Sequence, residues 1–91
     1  MADIHIERTH NLGLEKARIQ VETLAQSLGE ELRADYEWNG NTRIFKRTGA
    51  SGTIDVGADY IDVDIELGMS LSLFSFAIEE SVNRRLDALL S

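Results

Sequence analysis

Residues 60–67 have the sequence Tyr-Ile-Asp-Val-Asp-Ile-Glu-Leu, in which apolar and acidic side chains alternate without a break. Strict alternation is typical of a β-strand with one face buried and the other in water. The side chains predicted to face the core are Ile61, Val63, Ile65 and Leu67, and those predicted to face water are Asp62, Asp64 and Glu66. This strand therefore predicts a sheet with one covered face and one open face.

A first strand and a long helix are predicted from the N-terminal third of the chain. Residues 3–8 alternate, with Ile4 and Ile6 toward the core and His5 and Glu7 toward water. Residues 12–33 change to the helical period, and Asn11 is suited to accept a hydrogen bond from a free amide of the first turn as the N-cap. The apolar stripe of this helix consists of Leu14, Ala17, Val21, Leu24, Ala25, Leu28 and Leu32.

Glycine and asparagine divide the rest of the chain, because it contains no proline. Strands are predicted at 35–38, 42–47 and 53–56, with turns at 39–41, 49–52 and 57–59. Residues 70–90 predict a second helix. The core face of that helix consists of Leu71, Phe74, Ile78, Val82, Leu86 and Leu89.

The resulting order, β-α-β-β-β-β-α, predicts a single domain of class α+β over residues 1–91. Short turns make the last four strands an antiparallel meander, and the first strand is expected beside the fifth. Both helices are then predicted to cover one face of the sheet as a second layer, an order that resembles a reduced helix-grip fold. The core is expected to include Leu28, Ile54, Val63, Ile65, Ile78 and Val82.

Composition excludes several classes of protein. Sixteen acids against nine bases give a net charge of −7, which argues against nucleic-acid binding. The absence of cysteine excludes disulfides, thiolate metal sites and a cysteine nucleophile. No window approaches the ~20 apolar residues of a membrane span, and residues 1–5 lack the basic and apolar segments of a signal peptide. We therefore expect a soluble, cytoplasmic domain.

Residues 4–18, Ile-His-Ile-Glu-Arg-Thr-His-Asn-Leu-Gly-Leu-Glu-Lys-Ala-Arg, resemble the start of the small polyhydroxyalkanoic acid system proteins. The resemblance continues through Tyr36-x-Trp38, Phe45, Gly49-x-x-Gly52, Ile61-x-Val63, Leu67-Gly68 and Ile78-Glu79. It implies a bacterial protein connected with polyhydroxyalkanoate synthesis and granules, and it brings no catalytic motif and no cofactor. The chain has Phe76-Ala77 where such proteins often have Gly-Pro, so the helix geometry there is expected to differ.

One candidate site is a small-anion site formed by Arg8, His10 and the start of the first helix, with Arg18 within reach. Free amides and the positive end of the helix dipole attract carboxylate or phosphate, and two cationic side chains add to that attraction. The structural alternative is that His10 and Asn11 bind helix-end amides while Arg8 pairs with a nearby acid. The structural alternative is favoured, because every helix end needs such partners.

A second candidate site is the acidic row Asp62, Asp64 and Glu66, whose members project from one strand face. The neighbours expected to join it are Asp55, His5 and Glu7. Clustered carboxylates suit a hard cation, but the row lacks the loop, glycine and convergent ligands of a calcium motif. A solvated face is therefore favoured over a metal site. The cations expected to neutralise it are Lys46 and either Arg43 or Arg47.

The third candidate is the uncharged stretch 67–78. With Leu71, Phe74 and Ile78 directed to the sheet, Met69, Leu73 and Phe76 point nearly the opposite way. They are predicted to contact the first helix, a second subunit or a hydrophobic particle. Tyr36, Trp38 and Phe45 are interpreted as core of the hairpin.

Three functions remain open at this point. The leading hypothesis is a non-enzymatic accessory protein of polyhydroxyalkanoate metabolism that associates with a granule or a granule protein. The alternatives are a small acyl or hydroxyacid binder, with an acyl chain between the sheet and the second helix, and a homodimeric domain without a ligand. No catalytic serine, phosphate-loop or dinucleotide motif is present.

Overall fold

Five strands form one antiparallel sheet in the order β1-β5-β4-β3-β2. The computed structural model describes residues 4–69 and 71–90. The strands are β1 (Ile4–Thr9), β2 (Asp35–Asn39), β3 (Thr42–Arg47), β4 (Ala50–Val56) and β5 (Tyr60–Leu67), and the helices are α1 (Leu14–Leu32) and α2 (Ser75–Leu90). The predicted starts at Asp3 and Ser70 lie outside the described residues, as does the side chain of Leu32. The predicted α+β class and element order are confirmed.

Strand β5 contributes central residues of the hydrophobic core. It pairs with β1 on one side and β4 on the other, so that Val63 lies opposite both Ile6 and Ile54. These three side chains are buried, and they join the buried side chains of both helices in one hydrophobic cluster. The six residues predicted as core, Leu28, Ile54, Val63, Ile65, Ile78 and Val82, all belong to this cluster.

The start of α1 differs from the prediction. Gly13, with a φ of 81°, is the N-cap, and no side chain caps the helix, so the assignment of Asn11 as the cap was wrong. Gly13 readily adopts this positive φ, and the first helical hydrogen bond runs from the Ala17 amide to the Gly13 carbonyl at 3.0 Å. Leu14, predicted on the core stripe, is 37% exposed.

Strand β4 begins at Ala50, so the turn predicted at 49–52 is shorter than expected. Gly49 provides the turn with a φ of 84°. Gly52 lies inside the strand opposite Ile65, where an added Cβ would be 3.0 Å from the Asp64 carbonyl oxygen. The second glycine therefore serves close packing of strands rather than the turn.

The chain enters α2 through a separate 3-10 turn at Ser72–Phe74, and the α-helix begins only at Ser75. The amides of Leu71 and Ser72 both donate to the Gly68 carbonyl at 3.0 Å. A 3-10 turn advances 120° per residue instead of 100°, so a face projected from one continuous α-helix is wrong before Ser75. Phe74, predicted on the core face, is 55% exposed.

Candidate functional site

The segment between β5 and the body of α2 carries an exposed group of large apolar side chains, which we call the apolar tip. Met69 is 94% exposed, Leu73 88%, Phe76 78% and Phe74 55%. Among the described residues of 68–77 none is buried, and Ile78 is the first buried residue of α2. The predicted direction of Met69, Leu73 and Phe76 away from the core agrees with these exposures, and Phe74 joins them.

Backbone and hydroxyl hydrogen bonds within the segment hold the apolar tip in shape. The Ser72 hydroxyl donates to the Met69 carbonyl at 3.0 Å, and the Phe74 amide donates to the Leu71 carbonyl at 3.0 Å. At its base the Gly68 amide donates to the Gly49 carbonyl at 2.6 Å, which ties the tip to the β3–β4 turn. Four large side chains of this kind expose on the order of 500 Å² of apolar surface, an area that usually marks a contact site.

The open side of the sheet forms a second candidate surface, which we call the acidic face. Directly opposed residues of antiparallel strands project to the same side, and the register places Glu7, Asp62 and Asp55 next to one another across three strands. The carboxylates of the acidic face are Glu7, Asp35, Glu37, Asp55, Asp62, Asp64 and Glu66. Asp62 and Asp64 are half-buried rather than fully exposed, because neighbouring strands cover them on both sides.

His5 lies among these carboxylates and binds two of them. Its Nδ1 donates to Asp64 Oδ1, and its Nε2 donates to Glu7 Oε1 at 3.0 Å, while Asp62 Oδ1 is 3.4 Å from Nε2. The hydrogen bonds with Asp64 and then Glu7 raise the pKa of His5 from 6.5 to about 9. Partial burial raises the pKa of Asp62, and His5 opposes that change while the nearby carboxylates reinforce it. A protonated His5 thus acts as the internal cation of this group.

The residues that could together bind a metal ion in the structure differ from the row predicted from the sequence. Ligand atoms of His5, Asp62 and Asp64 lie within 4.8 Å of one another, and Glu66 is not part of that group. Carboxylate and imidazole together suit several divalent ions, but an ion would have to displace the proton that His5 uses to bind Asp64. A metal site here stays a prediction.

Two of the cations expected on the acidic face lie on the other side of the sheet. Arg43 is opposite the buried Ile54, and Arg47 is opposite Ala50 on that same side. Arg43 is 6% exposed, and its guanidinium donates to Glu22 at 2.9 Å. The assignment of Arg43 or Arg47 as the neutralising group was wrong, and Lys46 shares the acidic face as predicted.

The pH dependence of His5 provides a test of this arrangement. We expect His5 to titrate near pH 9 in NMR spectra, and an Asp64→Asn variant to return its midpoint toward the ordinary value of about 6.5. Because the folded pKa is raised, the stabilisation by His5 is complete below about pH 6.5 and is lost as the pH rises through about 9. A midpoint near 6.5 in the unmodified protein would contradict the pairing.

The three residues of the predicted anion site bind three different parts of the molecule. Arg8 donates to Asp87 Oδ1 at 2.6 Å and to Asn83 Oδ1 at 2.8 Å, both on α2. Arg18 donates to Gly40 and Asn41 in the β2–β3 hairpin at 2.9 and 2.6 Å.

His10 is buried, with its ring between backbone groups. Its Nε2 donates to the carbonyls of Gly57 and Tyr60 at 3.1 and 3.2 Å, and its Nδ1 accepts from the Leu12 amide at 3.1 Å. Each of the three side chains therefore has partners within the chain, and anion binding by them stays a prediction.

Comparison with known families identifies the chain as a whole. The family model described as "Putative polyhydroxyalkanoic acid system protein" matches residues 4–90, which includes every strand, both helices and the apolar tip. The chain belongs to this family. The resemblance seen in residues 4–18 is thereby confirmed over nearly the full length. No curated protein and no solved structure matched the chain.

The chain also has a cluster of side chains that the sequence analysis did not predict. Arg43 lies between Tyr36 and Trp38, 4.3 and 5.1 Å from their ring centroids, and Arg18 lies 4.2 Å above Trp38. Glu22 binds both the Arg43 guanidinium and the Trp38 indole, at 2.9 and 2.8 Å. The cluster joins α1 to the β2–β3 hairpin, and it is a structural feature of the family member rather than an open site.

The enclosed cavity between α1 and the sheet is too small for an acyl chain. A cavity between α1 and the sheet, lined by Leu28, Phe45, Ile54 and Val63 among others, has a volume of about 20 Å³. That volume holds about one water molecule.

In the described part of the chain, no helix combines the length and the hydropathy needed to cross a membrane.

Proposed function

We propose that this protein is a non-enzymatic accessory protein of the polyhydroxyalkanoate system that attaches to the granule surface through the apolar tip. The observation that carries the proposal is the exposure of Met69, Leu73, Phe74 and Phe76 in one uncharged segment. Polyhydroxyalkanoate granules present an apolar polymer, which suits a contact without charge or hydrogen-bond recognition. The family match supplies the system to which that surface belongs.

The size and shape of the apolar tip favour a particle surface over a second copy of the chain. A symmetric dimer through the tip would bury ~1,000 Å² in total, which is less than the ~1,200–2,000 Å² of stable specific interfaces. The four side chains of the tip also precede the first buried residue of α2, in a segment where none of the described residues is buried. A deformable polymer surface surrounds such exposed side chains without a complementary shape.

The distribution of charge also favours attachment through the apolar tip. The apolar tip has no charged residue, whereas the acidic face holds seven carboxylates on the open side of the sheet. A protein attached by its tip would thus carry negative charge to the particle surface, and coated granules would repel one another. Catalysis is not part of the proposal, since both histidines are engaged, His5 by carboxylates and His10 by backbone carbonyls.

Sedimentation with bare polyhydroxyalkanoate particles tests the proposal. We expect the protein to pellet with the particles, to remain bound in 1 M salt because the contact is apolar, and to stay in solution with silica particles of the same size. Light scattering of the protein alone should give the mass of a monomer. Failure to pellet would contradict the proposal, and a dimer that buries the apolar tip would favour the homodimer hypothesis.

A further inference from the structure

Strand β2 forms one edge of the sheet, and in the order of the described strands it pairs with β3 alone. The Val56 amide donates to the Asn41 carbonyl at 2.9 Å, so the odd-numbered residues from 41 to 47 bond to β4. The even-numbered residues of β3 then bond to β2, where their partners are Asp35, Glu37 and Asn39. The backbone N–H and C=O groups of Tyr36 and Trp38 therefore point away from the sheet, where a further strand can bind them.

A groove between α1 and β2 adjoins these outward backbone groups. It has a volume of about 420 Å³ and is lined by Glu15, Arg18, Ile19, Glu22, Thr23 and Trp38. Ile19 is 61% exposed, and Trp38 is half-buried. A sheet edge that takes up an extended peptide needs main-chain groups for affinity and a pocket for alternate side chains, and β2 has both.

Strand β2 is fixed against α1 at both of its outward residues. The indole of Trp38 donates to Glu22 at 2.8 Å. Tyr36 packs so closely on Gly29 that an added Cβ on the glycine would lie 2.8 Å from the tyrosine ring. Because the edge is already held in shape, binding of a strand would cost little ordering of the protein itself.

The charges beside the edge distinguish a second copy of the chain from another protein. Asp35 and Glu37 are exposed on the open side of β2. A two-fold antiparallel pairing that uses both Tyr36 and Trp38 of each copy would place Glu37 directly opposite its own copy, and opposed like charges destabilise a sheet. A strand with lysine or arginine on that side would instead form favourable cross-strand pairs.

From these observations we propose that the β2 edge binds an extended segment of another protein by strand addition. In that segment, apolar side chains enter the groove beside Ile19 and Trp38, and they alternate with lysine or arginine side chains beside Asp35 and Glu37. The proposal does not rest on granule attachment, because it uses β2 and α1 and not the apolar tip.

Amide hydrogen exchange with the peptide acetyl-Lys-Val-Lys-Leu-Lys-Val-Lys-amide tests strand addition directly. We expect the amides of Tyr36 and Trp38 to exchange at least tenfold more slowly when the peptide is bound, because each then donates to the added strand. No binding at 1 mM peptide would overturn the proposal. Protection of both amides in the protein alone, with the mass of a dimer in light scattering, would also overturn it, because a second copy would then occupy the edge.

Two N-methylated forms of the peptide separate strand pairing from attraction by charge alone. One carries N-methyl groups at its second, fourth and sixth residues and the other at its third and fifth, and only one of these sets faces β2 in a paired strand. The alternation of lysine with apolar residues fixes which set that is. We expect one form to bind at least tenfold more weakly than the unmodified peptide and the other within about threefold. Equal binding of the two forms would overturn the proposal.

An Ile19→Ser variant tests the groove, and Phe76→Ser in the apolar tip is its matched control. Both replace an exposed apolar side chain with serine, so both should remain folded. We expect Ile19→Ser to bind the fluorescently labelled peptide about tenfold more weakly, because an apolar contact is lost, and Phe76→Ser to bind within about twofold of the unmodified protein. Equal affinities in the two variants would overturn the assignment of the groove.

Discussion

Replacing Val63 with aspartate is expected to leave the chain unfolded at neutral pH. Val63 is 0% exposed and lies between Ile6 and Ile54 in the middle of the covered layer. An unpaired carboxylate there costs several kcal/mol, against a total stability of ~5–8 kcal/mol for a domain of this size. Circular dichroism should show the loss of the cooperative thermal transition.

A Val63→Ala variant is the matched control for this prediction. It removes two methyl groups without adding a charge, so it should remain folded and lose about 1–3 kcal/mol of unfolding free energy in a denaturant titration. Acidification to about pH 3 should partly restore structure to the aspartate variant, since its carboxyl group then becomes neutral. A folded Val63→Asp variant at pH 7 would mean that the described core is wrong.

Most of the fold follows from the period of the apolar residues. Strands β3 and β5 begin and end where the sequence predicts, because alternation is strong in both and Gly40, with a φ of 62°, separates β3 from β2. A meander of the last four strands leaves two edges, at β2 and β5, and the first strand lies beside β5 as predicted. The predicted α-helical periodicity across residues 70–74 was wrong, because a 3-10 turn occupies Ser72–Phe74.

The arrangement of the acidic face could be predicted only in part from the sequence. Alternation predicts which side chains of β1 and β5 share the open side, but shifting the strands by two residues leaves that assignment unchanged. Whether His5 meets Asp62, Asp64 or Glu66 therefore depends on register, and the structure places it opposite Asp64. The side of Arg43 was available in advance, because it is two residues from Phe45, which was interpreted as core. Its partner Glu22 is 21 residues away and has no local signal.

Replacing both Leu73 and Phe76 with serine is expected to abolish granule binding while the fold is retained. The two side chains are 88% and 78% exposed, so their removal deletes few internal contacts and the melting temperature should change by only a few degrees. Burial of the pair in an apolar partner contributes ~3–5 kcal/mol before the losses of association. That is a factor of about 100 to several thousand in affinity, and a granule that presents many contacts would amplify it.

The matched control for the apolar tip replaces two exposed apolar residues of α1, Leu14 and Ile19, with serine. Leu14→Ser, Ile19→Ser removes a similar number of apolar atoms and adds the same two hydroxyls, but away from the tip, so it should pellet with polyhydroxyalkanoate particles as the unmodified protein does. If Leu73→Ser, Phe76→Ser unfolds, both side chains belong to the internal core and the tip is not an interaction surface. If it stays folded and still pellets, granule attachment does not depend on Leu73 and Phe76, and the role proposed for these two side chains is wrong.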